Sequence, residues 1–429
     1  MKIKPFVNIH CHFMNLSHLP DEYTKKMIHE VTNIKFGEKF ASKLLSCFPV
    51  FQISKFCRAL NVDNMWGENG TVYNYLKYGE FIAKGDRYPI TKDTEIFDIV
   101  APLMMDMVTS SNINIIDNHD GVIPFTIQLY EYSFFTAQFP WQIFPFVMFN
   151  PHRKESLNMC KEAIGNFGFV GIKMYPAHGF YPDFKSKGNK SEVNKRLIDF
   201  YNWVDRNELP IVSHSQFDSM QNISYTDEQA MKFTEIKNWD NVLNRYKKIR
   251  INFAHFGGTE FTNVFKKLNK KKKCIYEFSK NCRNQIINFM DNKKDYGDRI
   301  FADVAANNIK NYGKKEKKYY LDELNDILNK YPDRIMFGTD TPAISNKISD
   351  QNFIKIFKNG IKNNIDYFYS LNSLKFLFGP NYKIPDNYIN YLKRSYIKGF
   401  VQEDPFDKKN LKEWIIKKGD KYYINPIKK

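Results

Sequence analysis

Cysteine, histidine and long apolar runs are all scarce in this chain of 429 residues. The six cysteines are scattered without a CxxC pair, which excludes a small disulfide-stapled domain and suits a reducing compartment. No run of roughly 18 apolar residues occurs, and the first residues lack the apolar core of a secretory signal. We therefore expect a soluble, cytoplasmic protein with no membrane partner.

Basic residues outnumber acidic ones, with 64 Lys and Arg against 47 Asp and Glu and a formal net charge of +17. A basic surface of this kind is typical of proteins that bind nucleic acid. Only 11 of the basic residues are Arg, however, and the densest lysine runs, 266–273 and 310–318, contain few aromatic residues and no base-reading motif. We interpret the excess as solvated lysine on faces and loops, and keep a nucleic-acid-binding protein or metal-dependent nuclease as an alternative.

Hydrophobic residues make up 43% of the chain, enough for a large core, and they form short apolar runs that alternate with helical patterns. Such alternation indicates parallel strands joined by right-handed crossovers, and eight strands close a (β/α)₈ TIM barrel in the α/β class. The predicted strands are 4–13, 99–105, 143–149, 169–174, 210–213, 251–254, 300–304 and 335–338. The helices predicted between them include 126–137, 155–164, 192–206, 238–246, 277–290 and 321–331.

Two segments exceed what a barrel needs. The region 15–96 follows the first strand and is far longer than the usual βα loop of roughly 2–6 residues, so we expect a mainly helical cap over the substrate. An oligomer contact is the alternative role, which makes a homo-oligomer possible. We thus predict a barrel domain over 1–383 that includes this insertion, and a C-terminal extension over 384–429 packed on the barrel.

Polar residues end several of the predicted strands, at the rim where TIM barrels carry their active sites. The first strand ends in the H-x-H of His10 and His12, whose imidazoles point to the same side and can hold one ion. The other strand-end residues are Lys173 in GFVGIKMYPAHGFYP, His214 in PIVSHSQ, His255 in INFAHFGG and Asp340 in IMFGTDTP. A single histidine of this kind is more often just a hydrogen-bonded core residue, but six polar residues at one rim favour a shared site.

With these marks, residues 5 to about 375 resemble the amidohydrolase superfamily of metal-dependent barrel enzymes, in the amidohydrolase-2-like branch without a separate β-sandwich. The strand-four motif and FGTDTP look particularly like the group that includes aminocarboxymuconate-semialdehyde decarboxylase. The resemblance implies Zn²⁺ or a similar ion, with His10, His12, His214, His255 and Asp340 as ligands or near-ligands. It also implies Asp340 as the proton shuttle and His255 as a group that polarises the substrate.

Lys173 bears on the number of metal ions. A buried ammonium beside a dication is driven toward the neutral amine, which adds CO₂ to give a carbamate. In families that look like this one, such a carboxylated lysine bridges two ions. The alternative is an unmodified Lys173 that binds a substrate carboxylate or phosphate beside a single metal ion.

Further candidates lie close to the predicted strand ends. Arg153, Tyr175 and His178 are placed to contact substrate, although a structural role is an equal alternative. Asp303 and Asp106 are placed to fix a histidine tautomer, but helix capping is the favoured role for both. The leading prediction for function is a hydrolase that uses metal-activated water on an amide, ester, lactone or similar bond of a small molecule. A decarboxylase or hydratase of the same superfamily is the main alternative.

Overall fold

Short strands and longer helices alternate along the chain. A computed structural model describes residues 3–13, 97–106, 122–216, 225–258, 270–306, 309, 313–341, 350–401 and 403–428. After a two-residue strand β1 (Ile3–Lys4), eight parallel strands follow. They are β2 (Val7–Cys11), β3 (Ile99–Pro102), β4 (Phe146–Met148), β5 (Gly171–Met174), β6 (Pro210–Ser213), β7 (Arg250–Phe253), β8 (Ile300–Asp303) and β9 (Ile335–Met336). All eight predicted strands are confirmed, most of them with shorter bounds.

The eight strands form a closed ring. Strands β4 to β9 make one sheet in chain order, and β2 pairs with β3. Parallel bridges complete the circle, from Leu103 to Phe146 on one side and from Cys11 to Thr341 on the other. At this last seam the Asn8 side chain donates a hydrogen bond to Thr339 Oγ1 at 2.9 Å. The predicted (β/α)₈ barrel is confirmed, and its strands are buried on both faces, as is usual in parallel sheets.

Helices surround the ring. The α-helices are α1 (Val122–Gln138), α2 (Ser156–Asn166), α3 (Ser191–Arg206), α4 (Asp227–Thr234), α5 (Asp240–Arg245), α6 (Lys270–Asp291), α7 (Lys293–Tyr296), α8 (Lys314–Lys330), α9 (Asp350–Gly360), α10 (Asn372–Phe378) and α11 (Asp386–Ile397). Short 3₁₀ turns cover Pro176–His178, Ile236–Trp239 and Ala254–Gly257, and a π-helix covers Tyr367–Leu371. None of the helices within the described ranges is long and apolar enough to cross a membrane.

The predicted helices are confirmed, with different ends. Helix α3 shows why, because its buried side chains follow the helical period: Val193, Leu197, Phe200, Tyr201 and Val204. Helix α6 is described from Lys270, before the predicted start at 277. The prediction started late because the first turns of this helix are lysine-rich and carry no apolar pattern. The predicted cap over 15–96 lies outside the described residues.

The last part of the chain packs against the barrel. Strands β10 (Ile415–Lys418) and β11 (Lys421–Ile424) form an antiparallel hairpin, and β12 (Ile427–Lys428) pairs with β1. On α11, the Tyr388 hydroxyl donates to the carbonyl of Ile143 at 3.2 Å, just before β4. The indole of Trp141 donates to the carbonyl of Pro405 at 2.9 Å. These contacts extend the core beyond the barrel.

One close approach inside the ring depends on a glycine. A Cβ atom placed on Gly171 of β5 would lie 2.2 Å from the ring of Phe146 on the neighbouring strand β4. Both residues are paired in register across the two strands. Gly171 therefore leaves the space that the Phe146 ring occupies.

Candidate metal centre

The six residues that end the predicted strands are all buried at the carboxyl ends of barrel strands. His10 lies in β2 and His12 just beyond it, Lys173 lies in β5, and His214 follows β6 directly. His255 follows β7, and Asp340 lies four residues after β9. None of the six exceeds 9% exposure, so each polar group has to find its partners inside the protein.

Three of these residues converge on one point. Asp340 Oδ1 lies 3.2 Å from His10 Nε2 and 3.1 Å from His12 Nε2. The three atoms lie within 4.8 Å of one another, which is the separation expected of ligands that share one ion. Two imidazole nitrogens and a carboxylate oxygen suit Zn²⁺ or a similar divalent ion. The residues present therefore fit the metal that the fold family implies.

Three imidazole rings of the site each have an oxygen atom within hydrogen-bond distance of Nδ1. His12 Nδ1 lies 2.7 Å from the carbonyl oxygen of Leu103, and His255 Nδ1 lies 3.1 Å from that of Ala305. His10 Nδ1 lies 3.1 Å from Asp303 Oδ2. These oxygens only accept, so a ring that binds an ion through Nε2 can carry its proton on Nδ1, where the oxygen accepts it. Metal-binding histidines usually have such an acceptor behind them.

His214 and His255 form a second pair. His214 Nδ1 lies 3.2 Å from His255 Nε2. His214 Nε2 is buried and has no hydrogen-bond partner among the described residues. Tyr175 stacks on the His214 ring, with centroids 4.0 Å apart and an angle of 11° between the planes. A buried nitrogen on a fixed ring is a further potential metal ligand.

The backbone is strained where two of the site residues lie. Asp340 and His255 adopt φ values of 62° and 61°, in the left-handed region that side chains other than glycine rarely occupy. The Asp340 conformation is held by its amide, which donates to the carbonyl of His10 at 2.7 Å. Gly338 permits this approach, because a Cβ there would lie 2.8 Å from the Cβ of His10.

The site favours an ionised Asp340 beside neutral rings of His12, His214 and His255. Burial lowers the pKa of His12 and of His214, and lowers that of His255 to about 4. Burial acts the same way on His10, but the carboxylates of Asp303 and Asp340 outweigh it and raise the pKa of His10. Although burial opposes ionisation of Asp340, His10 and His12 hold the pKa of its carboxyl well below the usual range. The anionic oxygen and the neutral nitrogens are the forms that bind a metal ion.

Lys173 adds a buried amine to the same site. Burial lowers the pKa of Lys173 to about 8, although Asp340 and Asp303 oppose that shift. The charge of Lys173 acts to lower the pKa of each of the four histidines, although the two carboxylates outweigh it at His10. The ammonium nitrogen lies 5.8 Å from the centroid of the Tyr175 ring. The neutral amine is therefore a minor form near neutral pH, but a far more abundant one than in an ordinary lysine.

The structure places the remaining candidates in different surroundings. Arg153 makes two hydrogen bonds to Asp106, at 2.8 and 2.9 Å, and both side chains are buried. Asp106 thus pairs with Arg153, where capping had been the favoured expectation. The ring of His178 stacks on that of Tyr175, with centroids 4.6 Å apart. Asp303, also expected to cap a helix, instead contacts His10.

Sequence reasoning missed the groups that support the ligands. The carbonyls of Leu103 and Ala305 carry no side-chain signal, so no motif could have revealed them. Asn252 donates to Asp303 Oδ2 at 2.7 Å. Its signal was available, because it is a polar residue in the otherwise apolar core of β7.

Comparison with known proteins gives one family match. The model of the family described as Amidohydrolase matches residues 131–376, more than half of the chain. No curated protein matches in sequence. One similar solved structure is a dihydroxybenzoic acid decarboxylase from Polaromonas sp. JS666 with bound manganese and an inhibitor, at 13% identity and a TM-score of 0.47 over 89% of this chain and 98% of that one. Another is an amidohydrolase from Burkholderia multivorans, at 7% identity and a TM-score of 0.39 over 66% of this chain and 83% of that one. By the family match, the chain belongs to the amidohydrolase family.

Proposed function

We propose that this chain is a metal-dependent hydrolase that acts on an amide, ester, lactone or similar bond of a small molecule. The observation that carries the proposal is the convergence of His10 Nε2, His12 Nε2 and Asp340 Oδ1 at the carboxyl ends of the strands. A divalent ion such as Zn²⁺, when bound there, supplies a Lewis acid that polarises the substrate and lowers the pKa of water to about 7.

Asp340 is the proposed proton shuttle. Its carboxylate is ionised, buried and held in a strained conformation beside both histidines of the H-x-H. A carboxylate in this position accepts a proton from the attacking water and passes it to the leaving group. His255, neutral because of burial and with its Nδ1 beside the carbonyl oxygen of Ala305, is proposed to hold the ion through Nε2 and so to act on the substrate through that ion.

Lys173 is proposed to be carboxylated. The neutral amine forms a bond from its nitrogen to the carbon of CO₂ and releases one proton, which leaves an anionic carbamate. The lowered pKa of Lys173 supports this step, because only the neutral amine reacts. A carbamate at this position would join the group of His10, His12 and Asp340 to the pair His214 and His255, and would hold two ions.

A decarboxylase or hydratase of a small carboxylic acid is the second candidate. The observation that favours it is the burial of Lys173, at 1% exposure, among the site residues. With a pKa of about 8, an unmodified Lys173 is still largely cationic at neutral pH and pairs with a substrate carboxylate. This candidate requires a single metal ion. A cytoplasmic location and a possible homo-oligomer stay predictions.

The test begins with metal analysis of the purified protein after incubation with Zn²⁺ and removal of the excess. We expect one or two equivalents, lost in His12→Ala and Asp340→Asn. His152→Gln is the matched control, since His152 is a buried histidine outside the converging group and should leave the metal content unchanged. Wild-type protein that binds no metal under these conditions would overturn the proposal.

The reaction is then tested with two substrate panels. Esters, lactones and amides report hydrolysis, and unsaturated or aromatic carboxylic acids report release of CO₂. Two metal equivalents that fall in Lys173→Ala and return with a short carboxylic acid support the carbamate. One equivalent, together with CO₂ release, selects the decarboxylase.

A further inference from the structure

We propose that Asp303 is a positioning residue that holds the His10 ring through Nδ1 and holds the turn that carries His255, so that one carboxylate aligns both halves of the metal centre. The inference builds on the proposed metal site and adds a residue that the H-x-H pattern does not include. Asp303 is the last residue of β8 and is fully buried.

Four donors saturate the Asp303 carboxylate. Oδ2 accepts from Asn252 Nδ2 at 2.7 Å and from His10 Nδ1 at 3.1 Å. Oδ1 accepts from the backbone amides of His255 at 3.1 Å and Ala305 at 3.0 Å. Asp303 is close enough to His10 and His255 to form a ligand group with them. Since each oxygen already accepts two hydrogen bonds, however, Asp303 supports the ligands and does not bind the ion itself.

The contact with His10 fixes the orientation of that ring. Asp303 Oδ2 lies 3.1 Å from Nδ1 and Asp340 Oδ1 lies 3.2 Å from Nε2, so each ring nitrogen faces a carboxylate oxygen. An ion bound through Nε2 requires the ring proton on Nδ1, where Asp303 accepts it. Acceptors of this kind orient the rings of metal-binding histidines.

The contact with His255 holds a strained turn. His255 and Phe256 both have left-handed backbone angles, with φ of 61° and 47°. The amide of His255 has its acceptor in Asp303, and the ring of His255 has its acceptor in the carbonyl of Ala305, two residues after Asp303. The residues at the end of β8 therefore hold both the backbone and the side chain of His255 by hydrogen bonds. The Asp303 carboxylate provides the acceptor that a buried amide in a strained turn requires.

Replacing the carboxylate by an amide separates this role from simple packing. In Asp303→Asn the oxygen can still accept from the two backbone amides. The amide nitrogen then faces His10 Nδ1 and Asn252 Nδ2, which were both donors. A proton on His10 Nδ1 then meets another donor, so the variant keeps the volume of the side chain but disfavours the form of the ring that binds an ion through Nε2.

The experiment measures Zn²⁺ affinity of the full chain by competition with a chromophoric chelator, and the protonated ring nitrogen of His10 by ¹⁵N NMR of histidine-labelled, Zn²⁺-loaded protein. His10→Asn identifies the signal. We expect Nδ1–H in the loaded wild type, and in Asp303→Asn a Zn²⁺ affinity reduced about 10- to 100-fold. Asp98→Asn is the matched control. Asp98 is a buried carboxylate that precedes β3, at the opposite end of the strands, and accepts a hydrogen bond from the amide of Phe6.

Equal Zn²⁺ affinity in Asp303→Asn and wild type would overturn the inference while leaving the proposed function intact. An Nε2–H tautomer of His10 in the Zn²⁺-loaded wild type would also overturn it, and this measurement does not require the variant to fold. Failure of the wild type to bind Zn²⁺ would instead count against the proposed function itself.

Discussion

The ring of Tyr175 lies parallel to the imidazole of His214, 4.0 Å from it and tilted by only 11°. We predict that Tyr175→Phe retains this stacking and that Tyr175→Leu loses it. The free energy of unfolding of the Leu variant should fall below that of the Phe variant by roughly 1 kcal/mol, the usual contribution of an aromatic pair. Urea unfolding of both variants measures the difference, and equal values would show that the stack contributes nothing.

Arg153 and Asp106 form a buried ion pair, which predicts a structural role for Arg153. Arg153→Met removes both hydrogen bonds from the guanidinium to the buried Asp106 carboxylate and should reduce the free energy of unfolding by about 3–5 kcal/mol. Adding Asp106→Asn removes the buried charge and should restore part of that loss. If Arg153 bound substrate instead, Arg153→Met would raise KM with little effect on urea unfolding.

His152 should make the protein sensitive to acid. Burial, with smaller effects of Arg196 and Lys190, lowers the pKa of His152 from 6.5 to about 4. Between these values the unfolded chain binds more protons, so the stabilisation is complete above about pH 6.5 and is lost as the pH falls through about 4. The full effect is of order 3 kcal/mol.

The measurement compares wild type with His152→Gln by urea unfolding at several pH values from 7 down to 4. The difference between the two proteins isolates His152 from the histidines of the metal centre. We expect the wild type to lose more stability than the variant over this range. Parallel curves would contradict the lowered pKa.

Gly171→Ala should destabilise the barrel, because the added methyl group meets the ring of Phe146 at 2.2 Å. Overpacking of this kind costs about 1–3 kcal/mol. Phe146→Leu in the same chain should recover part of the loss. Gly165→Ala in α2 is the matched control, because a Cβ there meets no atom within 4 Å, and alanine should be tolerated or slightly favoured. Thermal unfolding of the three variants tests the contrast.

The barrel could be predicted because its strands are buried on both faces. Each strand then appears as an apolar run such as the PIVS of β6, and the polar residue that follows it, here His214, stands out against the run. The same contrast identified Lys173, His255 and Asp340. The pattern of the chain therefore contained both the order of the strands and the candidate ligands.

The supporting contacts could not be predicted to the same degree. Whether Asp303 caps a helix or faces His10 depends on the rotation of β8 within the ring, which a one-residue shift of register would reverse. The pairing of Arg153 with Asp106 joins two different loops. The left-handed backbone of His255 and Asp340 could not be predicted, because His and Asp adopt it more often than most residues do but still only in a small minority of cases.

The seam of the ring has a consequence for how the protein assembles. The hydrogen bond from Asn8 to Thr339 spans 331 residues. The contact between β2 and the segment after β9 therefore cannot form until nearly the whole barrel has been synthesised. An ion held by His10, His12 and Asp340 would cross this same seam. Such an ion would stabilise a contact that forms late in folding. It would therefore slow unfolding of the barrel and leave the folding rate unchanged.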